Sequence, residues 1–140
     1  MSVYLNRQAI DEIASIDDLQ VKMDTIKKKV GDLSGIDVMY NMVLIASHVR
    51  PTKTKGGIIR PGSNVEEDIW QGKVGFVLKN GPDAFKDDDD VSFNGQKAEL
   101  GEWVVFKVGD AWQLTINDWP CRLVRDSSIR MKVKNPDTVV

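Results

Sequence analysis

The stretch GEWVVFKVGDAWQLTINDWPCRLVRDSSIRMKV, residues 101–133, alternates short apolar runs with turn-forming pairs. Gly109-Asp110, Asn117-Asp118 and Asp126-Ser127 divide it, so GEWVVFKV, AWQLTI, PCRLV and IRMKV read as strand segments. Upstream, NMVLIAS and GKVGFVLK have the same character, and the period of two begins near Tyr40. Many short strands at close spacing predict an all-β barrel or sandwich. Alternate residues of a strand line one face, which makes Val43, Ile45, Val74, Phe76, Leu78 and Val105 the predicted core. Trp103, Trp112 and Trp119 stand in or beside strand segments, where large rings fill a small barrel's core or line subunit contacts, and Trp70 precedes a strand as an edge anchor.

Before Tyr40 the pattern is different. In SIDDLQVKMDTIKKKVG, Ile16, Leu19, Met23, Ile26 and Val30 recur at spacings of three and four, which predicts a helix with one apolar stripe. Ser15 and Asp18 have the S-x-x-D capping spacing, Lys27, Lys28 and Lys29 complement the negative end of the dipole, and Gly31 can supply a left-handed cap. A shorter helix is expected over residues 7–14, capped by Asn6. The chain thus divides into a helical arm (1–39), a barrel (40–134) with a loop at 50–69, and a tail (135–140). The stripe is expected to pack as the arm's docking face, on its own domain or on another subunit.

Composition narrows the function. With 140 residues, of which 41% are hydrophobic, the chain supports one packed domain plus an appendage. A net charge of −2, from 19 basic and 21 acidic residues, offers no basic excess for a phosphate backbone or an anionic membrane. The N-terminal residues place acids where a signal peptide needs an apolar run, and no window approaches the ~18 apolar residues of a membrane span. The single cysteine, Cys121, has no internal disulfide partner, and it lies among apolar residues as an inert thiol does. The single histidine, His48, ends a strand-like segment with no sequence neighbour that makes it a base or a ligand. The acidic run at residues 87–90 lacks the ligand spacing of a calcium loop and reads as a solvated hairpin tip. These features predict a protein without catalytic residues, metal or cofactor.

One segment resists the strand reading. In KTKGGIIRPGSN, residues 53–64, Ile58 and Ile59 sit between Gly56-Gly57 and Pro61-Gly62, which leaves too few residues for a ladder. A loop carrying a small apolar patch is expected. The order of features around it is an apolar strand, the loop with Thr54-Lys55-Gly56-Gly57-Ile58-Ile59 and Pro61-Gly62-Ser63, Gln71-Gly72-Lys73-Val74, an N-G-P turn, L-G-E-W-V-V-F, and finally C-R-L-V-R-D-S-S-I-R-M-K-V. This order resembles the GroES co-chaperonin family over residues 40–134. The resemblance implies a small GroES-like β-barrel that assembles with copies of itself into a ring, commonly of seven, with a β-hairpin as roof. It also implies a partner-binding loop, Gly56, Gly57, Ile58, Ile59 and Arg60, whose isoleucines match the first residues of the patch that docks on a GroEL-type chaperonin.

The chain departs from that family at Arg60, where a third hydrophobe is usual, and in its helical arm, acidic roof segment and C-terminal tail. The stretch WQGKVGFVLKNGPDAF also resembles GroES-like proteins of tailed bacteriophages. Two functions follow as expectations. The first is a structural or assembly protein of a phage-type particle, with a capsid decoration, cement or connector role, gripping shell subunits in the virion or the host cytoplasm. The second is a cytoplasmic co-chaperonin ring that caps a chaperonin. Neither involves nucleic acid or a membrane.

Overall fold

A computed structural model describes residues 6–51 and 69–139. Helix α1, Arg7–Ala14, begins where the Asn6 side chain accepts the Ala9 N–H at 3.1 Å. Helix α2, Leu19–Val30, begins at Asp18, whose Oδ1 accepts from the Gln20 and Val21 N–H groups, each at 3.0 Å. Asp18 is therefore the cap itself, and Ser15 closes α1, its N–H reaching the Asp11 and Ile13 carbonyls. Ile16 consequently falls in the connection between the helices, ahead of the apolar stripe it was grouped with. At the other end Lys27, Lys28 and Lys29 occupy the last turn of α2, and Gly31 turns the chain at φ 84° and ψ −161°, a glycine conformation but not the left-handed cap expected of it.

Six strands follow among the described residues: β1 Met42–Ser47, β2 Val74–Asn80, β3 Trp103–Phe106, β4 Trp112–Ile116, β5 Trp119–Arg125 and β6 Ile129–Val133. They form one antiparallel sheet in the order β4-β5-β1-β2-β3-β6. The order and the connections together require the sheet to roll. In a flat sheet β5 and β6 would lie four strand spacings apart, about 19 Å. The turn that joins them is Asp126–Ser128 in 3₁₀ geometry, which advances only about 6 Å. The short link from β3 to β4, through Val108–Asp110, makes the same demand. The result is a small, rolled all-β fold with two short N-terminal helices. Asn117 and Asp118 make the β4–β5 hairpin with φ of 49° and 68°, the left-handed pair that a tight two-residue turn needs.

Both faces of the sheet's central strands are buried. On one face Leu44, Ala46, Phe76, Trp103, Trp119 and Cys121 pack with Ile10, Ala14, Met23, Ile26 and Val30 of the helices. On the other, Val43, Ile45, Val77, Val104, Phe106 and Val124 pack with Ala98 under partly buried Phe85 and Ile129. Of the expected core positions, Val43, Ile45, Val74 and Phe76 are buried, Leu78 packs in part against the helix-side cluster, and Val105 is half-buried. Alternation alone does not select this core, because the helices cover the face that a one-sided sheet would give to water. Ile45 is registered against Val77, with a register irregularity between Leu44 and Ile45, so Phe76 lies on the face opposite Ile45.

Phe76 is fully buried, with its ring edge-on to Trp103 at a centroid distance of 5.2 Å. Phe76→Ala is expected to lower stability by roughly 3–5 kcal/mol in chemical denaturation. A loss under about 1 kcal/mol would show that the site collapses around the missing ring.

Side chains tie the helices and their linker to the sheet. Lys79 Nζ donates to the Leu33 carbonyl at 2.9 Å and to the Ile36 carbonyl, and Asn117 Nδ2 reaches the Val30 carbonyl at the end of α2. The last bond gives an orphan helix-end acceptor its donor from the β4–β5 hairpin.

Candidate functional site

The sequence places its partner-binding residues, Gly56, Gly57, Ile58, Ile59 and Arg60, between β1 and β2, and they lie outside the described residues. The stems that frame them are described. Residues 47–49 are buried as the chain leaves β1, and Ile69 is fully buried where it returns. The arm residues meet the sheet unequally. Met23, Ile26 and Val30 belong to the helix-side core, Leu19 packs against it in part, and Ile16 is half-buried outside the cluster.

His48 is part of the outgoing stem. Its side chain is 2% exposed, and Nε2 lies 2.8 Å from Asp137 Oδ1. The ring stands edge-on to Trp103 at 5.2 Å. Asp137 belongs to a 3₁₀ turn, Pro136–Thr138, in which Pro136 is buried and the Asn135 side chain accepts the Asp137 N–H at 3.0 Å. The C-terminal segment is thereby fastened to the end of β1.

Cys121 is buried on β5, and desolvation pushes its thiol up to about 12, against smaller opposing effects of the Ile116 backbone and Arg122. At neutral pH it stays protonated, which removes the thiolate that nucleophilic chemistry requires. Beside it Arg122 is fully buried, and desolvation lowers its pKa. Its guanidinium donates to the Cys121 carbonyl at 3.2 Å and to the Ile69 carbonyl.

Asp87, Asp88, Asp89 and Asp90 are exposed, and their bonds are local. Asp88 Oδ1 accepts from the Asp90 and Val91 N–H groups at 2.8 Å, and Asp87 Oδ1 from the Phe93 N–H at 2.7 Å. These are turn-making bonds of aspartate. Among the described residues no group of three or more His, Cys, Asp or Glu side chains is placed to hold a metal ion. An open groove of about 690 Å³ runs between residues 91–99 and β6, lined by Phe93, Lys97, Ile129, Met131 and Lys132 among others. The end strands of the sheet each present a large apolar side chain, Trp112 at 70% exposure on β4 and Met131 at 46% on β6. Trp112 is thus a surface residue, unlike Trp103 and Trp119, which are buried. Trp70 is half-buried, with its carbonyl accepting Gln113 Nε2 at 2.7 Å.

A rolled six-stranded antiparallel sheet, with exposed apolar side chains on both end strands and residues 48–73 joining β1 to β2, is a small all-β fold. Residues 35–133 match the family described as Chaperonin 10 Kd subunit, and the chain belongs to that family. Its members oligomerise, partner with GroEL-type chaperonins and are in general non-enzymatic. No curated protein matches the chain. Helices α1 and α2 precede the matched segment, and the Pro136–Thr138 turn follows it. No helix among the described residues is long and apolar enough to cross a membrane.

Proposed function

We propose that the chain is a cytoplasmic co-chaperonin subunit that assembles with its own copies and docks on a GroEL-type chaperonin through Ile58 and Ile59. The observation that carries this reading is the family match over residues 35–133, and the Gly56-Gly57-Ile58-Ile59 patch, which lies in sequence between β1 and β2, supports it. An apolar groove gains about 1.5–3 kcal/mol from each isoleucine it buries. Arg60 opposes that gain, since an unpaired charge in the same groove costs several kcal/mol unless its guanidinium reaches the rim. A ring compensates by multiplying weak docking through avidity.

Arg60 also favours a second reading, in which the same fold serves as a structural subunit of a phage-type particle and the loop packs on shell subunits. An arginine at such an interface pairs with a carboxylate, a use for which the third family hydrophobe has no equivalent. Arg60→Leu separates the two. Under the co-chaperonin reading the substitution removes a desolvation cost, and capture by immobilised chaperonin should tighten by about a decade for each 1.4 kcal/mol recovered. Under the particle reading it should weaken incorporation into purified particles. Weaker incorporation with no chaperonin capture by either form would overturn the first reading and establish the second.

A further inference from the structure

The two stems of the excursion are held in an unusual way. Beyond the strand ladder, four of their backbone carbonyls are each taken by a side chain from elsewhere in the fold. The Ser47 carbonyl accepts Trp119 Nε1 at 3.2 Å, and the Val49 carbonyl accepts Lys22 Nζ at 2.8 Å. On the returning stem the Ile69 carbonyl accepts the Arg122 guanidinium, and the Trp70 carbonyl accepts Gln113 Nε2 at 2.7 Å. Three of these donors come from β4 and β5, within the family-matched segment. The fourth, Lys22, comes from α2, which lies wholly before that segment.

Lys22, like Arg122, is a buried cation that packing alone does not explain. It is 2% exposed, and its Nζ bonds the Ala14 carbonyl at the end of α1 at 3.1 Å as well as Val49. Lysine is rarely buried, because its head group must be desolvated. A helix that needed only to cover the sheet would place an aliphatic residue at that position, since Lys22 is three residues after Leu19 and four before Ile26 on the apolar stripe. What lysine supplies is a donor at the end of a long stem, able to join α1, α2 and the excursion's root at one point. Val49 is fully buried, so the tie acts on a fixed stretch of backbone.

We propose that Lys22 is a positioning residue for partner docking: by bonding the Val49 carbonyl it makes the N-terminal helices part of the root from which the Ile58-Ile59 patch is presented. The inference rests on the docking role given to that patch above. With the bond in place the Val49 end of the stem is held to both helices; without it, fixing that end adds to the ordering cost of binding.

The test compares wild type, Lys22→Met, which keeps the side-chain length without the donor, and Val124→Ala. Val124 is buried in the opposite-face core and registered against Val43, away from both stems, so its truncation lowers stability without touching the root. Hydrogen exchange of the Val49 and Arg50 amides should rise about 10-fold or more in Lys22→Met relative to amides in β3, and stay at the wild-type ratio in Val124→Ala. Affinity for an immobilised GroEL-type chaperonin should fall about 5–10-fold in Lys22→Met and less than 2-fold in Val124→Ala. Unchanged exchange at Val49 and Arg50, a rise spread evenly over α1, α2 and β1, or equal affinity losses in the two variants would each overturn the proposal. If the wild-type protein does not bind chaperonin, the docking role itself fails, and the exchange ratio still decides whether Lys22 holds the root.

Discussion

Removal of residues 1–35 is expected to leave a chain that does not fold cooperatively. An appendage docked on a finished barrel could be cut away at little cost, but these helices supply one wall of a core. Ile10, Met23, Ile26 and Val30 are each at most 5% exposed, packed on Leu44, Phe76, Trp103 and Trp119. At about 1.5–3 kcal/mol for each buried side chain, the four together contribute roughly 6–12 kcal/mol. That is comparable with the whole stability of an ordinary domain, about 5–15 kcal/mol. The truncation would also open Phe76 and Trp119 to water and strip the Lys22 donor from the Val49 carbonyl. Circular dichroism during urea titration should show no cooperative transition for the truncated chain, and dye binding should report exposed apolar surface. A truncation that unfolds at the wild-type midpoint would show that the barrel closes its own core. Ile26→Asp tests the same wall in the full-length chain, by placing a charge at a position with no exposure.

What was legible in the sequence was local. Asn6 before an apolar pattern, lysines and a glycine at the end of α2, and Asn117-Asp118 between two alternating runs are signals a few residues wide, and each acts where it stands. The start of α2 shows the limit, because Ser15 and Asp18 both have capping chemistry. The chain uses each for a different helix: Ser15 ends α1 and Asp18 begins α2. Burial on the central strands was less readable, since helices on one face and Phe85, Ala98 and Ile129 on the other leave no solvent side to impose alternation.

The root of the excursion was invisible for a different reason. His48 and Asp137 are 89 positions apart, and neither has a neighbour that announces the pairing. Lys22 did leave a trace, a lysine standing on an apolar stripe, but that pattern carries no information about which backbone carbonyl it reaches. The Gly56-Gly57-Ile58-Ile59 patch is the converse case. Its chemistry is fully stated by the residues themselves, two β-branched hydrophobes held between turn formers, and it asks for an apolar partner wherever the stems direct it.

The second large effect is therefore expected at that patch. Ile58→Asp combined with Ile59→Asp should abolish capture by a GroEL-type chaperonin while leaving the folded protein's unfolding curve in place. Each substitution forfeits about 1.5–3 kcal/mol of apolar burial and asks the groove to desolvate a carboxylate, which costs several kcal/mol more. Two such changes amount to at least ~5 kcal/mol per loop, more than three decades in affinity at 1.4 kcal/mol per decade. Avidity magnifies the loss, because every loop of a ring carries it and each further contact is weakened alike. Arg60 sets the scale for judging the result. A long arginine side chain can snorkel its charge to the rim of a groove, whereas the short aspartate side chains of the double variant cannot, so the charges they introduce are not equivalent to that of Arg60. The measurement is equilibrium capture on immobilised chaperonin across a range of subunit concentrations, with the Phe76→Ala variant as a destabilised control that keeps the patch. Undiminished capture by the double variant would mean that binding runs through another surface, with the exposed Trp112 and Met131 of the two end strands the first places to look.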